Sequence, residues 1–265
     1  DQMTVSNRGE FEQSFPSRIK YIMDILQRFG SIRVNDAAED LGVSAATIRR
    51  DLQALEDKGL LRRVYGGALL TGTSTTFEYP YNDKIGLQAD EKIRIARAAA
   101  VEVADGESVF LDSGTTAFQL AQCLRKKRNL TIATVDLSIA SLVYDPTTQL
   151  ILTGGIVRQG YNVLVGTTAE NFIRDMRVDK AFLTADAVDL DFGISNTNYL
   201  EAGVKSQVVH AGRKVILIAD HSKFGMMALT KLCDLTDVQM VITDQGLARN
   251  TVVEMQNMGI VVKCV

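Results

Sequence analysis

The spacing of apolar residues near the start of the chain predicts three helices. A first apolar stripe ends at Gly30, and a glycine suits the left-handed residue that closes many helices. A second stripe ends before Gly42, and a third begins after Ser44, which suits a helix N-cap. The stripes are Ile19, Ile22, Ile25, Leu26 and Phe29; Ala37, Ala38 and Leu41; and Ile48, Leu52 and Leu55. Helices joined by a short glycine-containing turn predict a helix-turn-helix domain over residues 16–70.

The first two turns of the third helix carry the side chains that such a helix presents to the major groove of DNA. They are Ser44, Ala45, Thr47, Arg49 and Arg50. Neighbouring residues on a helix differ by about 100° in direction, so Arg49 and Arg50 are predicted to have different tasks. One guanidinium can bind a guanine edge and the other a phosphate, and the spacing leaves open which does which.

Residues 60–70 predict two short strands around a turn, which is the pattern of a wing. There Arg62, Arg63 and Tyr65 would contact the phosphate backbone or the minor groove. The alternative for residues 16–70 is a small helical bundle with a solvated charged face. That region has nine Lys and Arg against seven Asp and Glu, whereas the whole chain has 29 against 32. The local positive balance favours DNA binding.

The pattern changes after residue 70. Residues 71–90 are polar, rich in threonine and contain Pro80, which predicts a linker. From residue 91 to residue 265, short apolar strands alternate with helical segments, which predicts an α/β domain with a parallel sheet. The predicted strands cover residues 108–112, 130–135, 150–153, 180–185, 215–219, 240–243 and 260–264.

Polar residues stand where several predicted strands end, and ligands of parallel sheets bind beyond those ends. The segment Asp112-Ser113-Gly114-Thr115-Thr116 joins a strand to a helix, and its amides, hydroxyls and helix dipole suit a phosphate. The alternative is simple helix capping by Ser113 or Thr115. Further candidates are Gly154, Gly155, Asp186, Glu201, Lys205 and Lys223. Ordinary turn, capping or surface roles are the alternatives for them.

The composition of the chain argues mainly against a metal site, a membrane span and a secretory signal. The three cysteines and two histidines are dispersed without metal-ligand spacing, so neither a metal nor a cofactor is predicted. No apolar run approaches the roughly 18 residues of a membrane span. Residues 1–15 are polar, lack the apolar stretch of a secretory signal, and are predicted to be a flexible lead-in. The protein is therefore expected in the cytoplasm, associated with the nucleoid.

Three strings make the N-terminal pattern more specific. Residues 43–52 have the sequence VSAATIRRDL, residues 59–63 have GLLRR, and residues 65–68 have YGGA. Together they resemble the N-terminal signature of the DeoR/GlpR family of bacterial transcriptional repressors. The resemblance implies that residues 16–70 bind DNA.

The C-terminal segments also occur in the order and spacing of this family. They are DSGTT at residues 112–116, TGG at 153–155, ADAVD at 185–189, the pair Glu201 and Lys205, and ADHSKFG at 219–225. The resemblance implies a ribose-phosphate-isomerase-like effector domain that binds phosphorylated sugars. Carried over by position, it implies that residues 112–116 hold phosphate or hydroxyls and that Lys223 lies near the phosphate. Asp186, Glu201 and Lys205 would then face the sugar.

Two positions depart from the family pattern. Val135 and Asp136 stand where two adjacent asparagines are common, which predicts altered hydrogen bonding at that wall of the effector site. Thr167 replaces the glutamate that commonly follows Gly166. Residues 186–195 are most similar to members tied to amino-sugar or hexitol catabolism.

Pattern and resemblance together predict a repressor of a sugar catabolic operon that binds operator DNA as a homodimer or homotetramer and responds to a phosphorylated sugar. The second interpretation is a sugar-phosphate isomerase-like enzyme, since Asp186, Glu201 and Lys205 can perform acid–base chemistry. Active isomerases of this fold have a lysine in a glycine-rich loop before the glutamate, and residues 194–198 contain none. Catalysis is therefore not expected. A DNA-binding structural protein without a ligand is disfavoured by the polar strand-end loops.

Overall fold

The computed structural model describes residues 15–58, 60–70, 75, 78, 81–146 and 148–265. Contacts divide the chain into two compact units, Asp1–Phe77 and Glu78–Val265. The predicted lead-in lies outside the described residues except for Phe15, as do Gly59 and most of residues 71–80. Among the described residues, no helix has both the length and the apolar character needed to cross a bilayer.

The N-terminal unit is a winged helix-turn-helix. Its elements are α1 (Phe15–Phe29), β1 (Ser31–Arg33), α2 (Val34–Asp40), α3 (Ala45–Glu56), β2 (Leu61–Val64) and β3 (Gly67–Leu70). The strands form an antiparallel sheet in the order β1-β3-β2, and β2 and β3 are the two arms of the predicted wing. The apolar faces of the three helices meet in one core with Ile22, Leu52 and Leu61. The predicted helix-turn-helix and wing are therefore confirmed.

Gly67 lets the strand β1 approach the wing closely. A Cβ atom on Gly67 would lie 2.1 Å from the carbonyl oxygen of Ile32 in β1, so this register requires glycine. Gly66 turns the chain between β2 and β3 with a φ of +78°, a conformation that glycine adopts readily. The sequence did not predict β1, because a strand of three residues is too short to show alternation.

The second unit contains a seven-stranded sheet. Its strands are β4 (Ser108–Leu111), β5 (Thr131–Thr134), β6 (Gln149–Leu152), β9 (Val178–Leu183), β12 (Gly212–Ile218), β14 (Met240–Thr243) and β15 (Val261–Cys264). The spatial order is β15-β14-β12-β9-β4-β5-β6, and every pairing is parallel. All seven strands therefore end at the same edge. Each was predicted from the sequence, which confirms the α/β class of the domain.

Among the described residues of this unit, five shorter strands lie outside the parallel sheet. They are β7 (Ile156–Arg158), β8 (Val163–Val165), β10 (Ala187–Asp189), β11 (Gly193–Asn196) and β13 (Thr230–Cys233). They pair in antiparallel fashion: β7 pairs with β8, and β11 lies between β10 and β13 and pairs with both. The sequence did not predict them. They matter for the site because β7 and β11 carry side chains that reach its acidic residues.

Helices cover both faces of the parallel sheet. They are α4 (Tyr81–Gly86), α5 (Ala89–Val101), α6 (Thr115–Leu124), α7 (Leu137–Val143), α8 (Thr167–Arg174), α9 (Tyr199–Ala211) and α10 (Arg249–Asn257). Phe182 in β9 packs in one core with Leu120 and Ile139, whereas its neighbour Leu183 packs in a second core with Ala202. Burial on both faces explains why the strands are uniformly apolar.

Part of the predicted linker is folded. Residues 81–86 form α4, and α5 begins at Ala89, so the linker prediction is wrong for residues 81–90. Lys84 in α4 pairs with Glu78 and with Asp186, which lies far along the chain. Tertiary ion pairs cannot be recognised from local composition. The polar composition of this segment therefore predicts a linker.

Candidate DNA interface and effector site

Helix α3 is fixed by its N-cap and by its buried face. The Ser44 hydroxyl accepts a hydrogen bond from the Thr47 amide at 3.1 Å and lies 2.9 Å from the Thr47 hydroxyl. The next turns bury Ile48 and Leu52 completely. The predicted cap is therefore confirmed, and it places Ala45 in the first turn of the helix.

Arg49 and Arg50 extend from α3 into solvent. Both side chains are exposed, and neither forms a hydrogen bond or an ion pair within the part of the chain that the structure describes. Asp51, the next residue, points inward and is bound by Arg18 of α1. The two exposed guanidinium groups are thus available to an anionic partner outside the molecule.

The wing carries three exposed side chains, Arg62, Arg63 and Tyr65. Tyr65 stands at the turn and is 73% exposed. The Arg63 amide donates to Glu56 Oε1 at 2.7 Å, and its guanidinium donates to the side chain of Gln53. These bonds join the wing to α3, so the two surfaces predicted to contact DNA belong to one rigid arrangement.

Asp112 is the centre of a buried polar cluster at the carboxyl edge of the parallel sheet. It is fully buried, and its Oδ2 accepts the Thr184 amide at 2.9 Å and the Thr184 hydroxyl at 3.0 Å. The ammonium of Lys205 in α9 donates to the same Asp112 oxygen and to the Thr184 hydroxyl. The Ser113 amide donates to Asp112 Oδ1 at 2.7 Å. The structure therefore brings together Asp112 and Lys205, two candidate site residues that are far apart in sequence.

Asp136 follows β5 and is also fully buried. Its Oδ1 caps α7 by accepting the amides of Ser138 and Ile139 at 2.8 and 3.0 Å. Its Oδ2 accepts the Gly114 amide at 3.3 Å. Burial raises the pKa of Asp136, and these amide hydrogen bonds oppose the rise. Asp136 thus connects the loop after β4 to the start of α7.

Asp186 lies beyond the end of β9 and is surrounded by cations. Its Oδ2 accepts the Thr197 amide at 3.1 Å and the Thr197 hydroxyl at 2.7 Å, and its Oδ1 lies 3.1 Å from Lys84 Nζ. Burial alone would raise the pKa of Asp186, but Lys84, Lys223 and the Thr197 bonds lower it well below the usual range. The Lys223 ammonium has no hydrogen bond or ion pair among the described residues, so it is available to a ligand.

Glu201 lies in the first turn of α9 and is almost completely buried. Its Oε2 accepts Asn196 Nδ2 at 3.3 Å, and its Oε1 pairs with Arg158 of β7. Burial raises the pKa of Glu201, whereas Lys205 and Arg158 lower it. Glu201 and Lys205 therefore have different partners inside the protein, and the alternative of a solvent-exposed pair is wrong.

A pocket of about 210 Å³ adjoins Thr115 at the start of α6. Its lining consists of Tyr81, Ile85, Ala89, Lys92, Thr115, Phe118, Gln119 and Ser138. Lys92 in α5 is buried and donates to the backbone carbonyl of Lys84, and burial lowers the pKa of Lys92 to about 8. The sequence analysis missed Lys92. The available signal was its helical spacing from Ile95 and Ala96, which places an ammonium on a buried face.

Gly154 and Gly155 follow β6, and close packing against β8 explains why a glycine stands at position 155. Gly155 has a φ of +125°, and a Cβ atom there would lie 2.8 Å from the carbonyl oxygen of Val165 in β8. Gly154 also has a positive φ, and its carbonyl accepts the Thr153 hydroxyl at 3.1 Å. Thr167, the second departure, is the first residue of α8.

One unit thus presents exposed cations on the helix of a helix-turn-helix, and the other has a buried polar edge beside a pocket. This combination defines a DNA-binding regulator with a ligand-sensing domain. Comparison with known proteins gives the same division. The model of the DeoR-like helix-turn-helix domain matches residues 18–73, and that of the DeoR C terminal sensor domain matches residues 87–245. The chain belongs to the DeoR family of transcriptional regulators.

Similar proteins cover nearly the whole chain. The HTH-type transcriptional regulator GlpR of Haloferax volcanii is 34% identical over 92% of this chain and 96% of its own length. The glycerol-3-phosphate regulon repressor of Escherichia coli K12 is 33% identical over 84% of this chain and 88% of its own. Among solved structures, ribose 5 phosphate isomerase A from Neisseria gonorrhoeae matches 54% of this chain and 56% of its own, with 20% identity and a TM-score of 0.36.

Proposed function

We propose that the protein represses an operon for carbohydrate catabolism and that a phosphorylated sugar, bound at the carboxyl edge of the parallel sheet, controls its DNA binding. The main support is the buried polar edge itself. Asp112, Glu201 and Lys205 are almost completely buried there and are held by ion pairs, which orders a set of polar groups at the edge where ligands of parallel sheets bind. A similar protein is named for the glycerol-3-phosphate regulon, which fits an effector of this chemical class.

The proposed DNA contacts lie on two surfaces. Residues of α3 would enter the major groove, and residues of the wing would contact phosphate or the minor groove. The first group is Ser44, Ala45, Thr47, Arg49 and Arg50, and the second is Arg62, Arg63 and Tyr65. Helix-turn-helix dimers bind two half-sites about one helical turn or a multiple apart, so we propose a homodimer or homotetramer on double-stranded operator DNA in the cytoplasm.

The proposed effector contacts surround the end of β4. Asp112, Ser113, Gly114, Thr115 and Thr116 form the loop, and Asp136, Asp186, Glu201, Lys205 and Lys223 stand around it. The Lys223 ammonium supplies positive charge for an anionic ligand. Carboxylates accept hydrogen bonds from hydroxyl groups, so Asp186 and Glu201 suit a sugar. Gly154 and Gly155 are proposed only as the backbone wall after β6.

We do not propose catalysis at this edge. The Lys205 ammonium is bound by Asp112 and Thr184, so it is not placed as a free base. Residues 194–198, which begin within β11, contain no lysine. Turnover of a sugar phosphate by the purified protein would contradict this conclusion.

Fluorescence anisotropy tests the proposed function. The protein is titrated onto DNA from upstream of its own operon, and sugar phosphates and their unphosphorylated parents are then added. Release from DNA by one phosphorylated sugar, but not by its parent, would support both parts of the proposal. If the protein binds this DNA and no sugar phosphate changes the binding, the effector class is wrong and the DNA-binding role remains.

A further inference from the structure

Glu78 lies at the start of the second unit, and its carboxylate is held by two cations. Arg158 Nη2 lies 2.5 Å from Glu78 Oε2, Arg158 Nη1 lies 3.3 Å from Oε1, and Lys84 Nζ lies 2.7 Å from Oε1. The Tyr161 ring packs against both cations, with its centre 3.9 Å from the Arg158 guanidinium and 5.4 Å from Lys84 Nζ. Only 8% of the Glu78 side chain is exposed. Arg158, Lys84 and Tyr161 therefore form a well-defined seat for an anion.

This anion seat joins the proposed effector site. Lys84 pairs with Asp186 at 3.1 Å, and Arg158 pairs with Glu201. Lys223 also lowers the pKa of Asp186 through its positive charge, so a third cation lies close by. A guanidinium fork that binds a carboxylate with two hydrogen bonds binds a phosphate in the same way. The seat thus has the charge and geometry for the phosphate of a sugar phosphate.

The loop after β4 is less suited to a phosphate than its composition suggests. The Ser113 amide already donates to Asp112, and the Gly114 amide already donates to Asp136. Both carboxylates are fully buried beneath the loop. A phosphate there would have to compete with those carboxylates for the two amides. The remaining hydroxyls of the loop suit the uncharged end of the effector.

We propose that the effector's phosphate binds between Arg158 and Lys84, where it displaces the carboxylate of Glu78. This inference rests on the proposed function, because it names the phosphate position of that same effector site. Glu78 and Lys84 belong to the segment that leads from the first unit into α5. Displacement of Glu78 frees this segment from the sensor, and a segment that is held in one state and released in the other is what effector control requires.

Inorganic phosphate is the probe, and calorimetric titration and hydrogen exchange of full-length protein are the measurements. In the unaltered protein, phosphate is expected to increase amide exchange in residues 81–86. Glu78→Gln is expected to show increased exchange there without phosphate and to bind phosphate about threefold to tenfold more tightly, because an internal competitor is lost. Arg158→Gln is expected to weaken phosphate binding about tenfold or more.

Glu102→Gln is the matched control. Glu102 also pairs with two cations, Lys214 and Lys263. Neither the carboxylate nor either lysine belongs to the anion seat. This variant is expected to leave phosphate affinity and exchange in residues 81–86 unchanged. The exchange measurement also separates displacement from a simple gain of positive charge, since added charge alone would not make phosphate loosen α4.

The remaining outcomes overturn the inference. If phosphate binds Arg158→Gln as tightly as the unaltered protein and does not change exchange in residues 81–86, the phosphate binds elsewhere. The absence of phosphate binding in both the unaltered protein and Glu78→Gln contradicts the anion seat as well. In either case the anisotropy experiment still decides the proposed function, because release of DNA by a sugar phosphate does not depend on where its phosphate binds.

Discussion

Arg18 and Asp51 form a two-pronged ion pair that fastens α1 to α3, with Arg18 Nε 2.6 Å from Asp51 Oδ2 and Arg18 Nη2 3.0 Å from Oδ1. Asp51 is almost completely buried, yet it directly follows the two exposed arginines of α3. The hydrogen bond that Arg18 donates to Asp51 raises the pKa of Arg18 and outweighs the burial of the guanidinium, which lowers it. The pair therefore fixes the direction in which Arg49 and Arg50 extend.

Asp51→Ala is expected to lower the free energy of unfolding of the N-terminal unit by about 3 kcal/mol, because it leaves a mostly buried guanidinium without its partner. Urea denaturation followed by circular dichroism measures the change. Asp57→Ala is the control, since Asp57 is exposed after α3 and, within the part of the chain that the structure describes, its carboxylate accepts only the side chain of Gln53. Equal effects of the two variants would mean that the pair does not stabilise the unit.

Arg49→Ala and Arg50→Ala are each expected to weaken specific DNA binding by about 1–3 kcal/mol without changing stability, because both side chains extend into solvent. Anisotropy on operator DNA and on unrelated DNA measures the loss. The variant that lowers the ratio of the two affinities identifies the base-contacting arginine. Lys58→Ala, at an exposed position after α3, is the control. Unchanged affinity in both arginine variants would show that α3 is not the recognition helix.

Thr115→Ala combined with Lys223→Ala is expected to leave DNA binding intact and to abolish the response to the effector, because both residues belong to the proposed effector site and lie outside the DNA-binding unit. Anisotropy with and without the active sugar phosphate measures both properties. Lys126→Ala is the control, since Lys126 is exposed beyond the other end of α6. A double variant that still releases DNA on addition of effector would place the pocket elsewhere.

Lys92 is expected to make stability rise with pH in the alkaline range. Burial lowers its pKa to about 8 in the folded protein from 10.5, so the unfolded chain binds more protons between these values. Where the unfolded state holds more protons, stability increases as pH rises. The unaltered protein should therefore gain about 2 kcal/mol relative to Lys92→Met between pH 7 and pH 10. Urea denaturation at both pH values measures this difference, and a constant difference would contradict a lowered pKa of Lys92 in the folded protein.

The sequence predicts the elements that repeat a simple pattern. The strands from β4 to β15 in the parallel sheet are apolar because both of their faces are buried, and that pattern is visible without a structure. The pair β7 and β8, and the strands around β11, were not predicted. They are only three or four residues long, so they show neither alternation nor a long apolar run.

The candidate site divides in the same way. Asp112, Asp186, Glu201 and Lys205 stand at strand ends or on the next helix, where parallel-sheet topology brings residues together. Their partners were not predictable. Glu78 lies in a stretch with the composition of a linker, and it meets Arg158 only because the chain folds back 80 residues later. Contacts of this kind depend on tertiary structure and leave no periodic pattern in the sequence.

The central pairing of the sheet joins parts of the chain that are synthesised far apart. β4 lies between β5 and β9, and the amide and hydroxyl of Ser108, the first residue of β4, donate to Asp179, which is 71 residues away. The winged helix-turn-helix is built from contacts within about the first 70 residues instead. Local contacts form faster than distant ones, and N-terminal units fold first during synthesis. Protease resistance of ribosome-bound chains stalled at increasing lengths tests this order. The winged helix-turn-helix is therefore expected to fold on the ribosome before the sensor domain has been synthesised. Until the sensor has folded, DNA binding by the chain cannot respond to an effector, so regulated repression depends on prompt folding of the sensor.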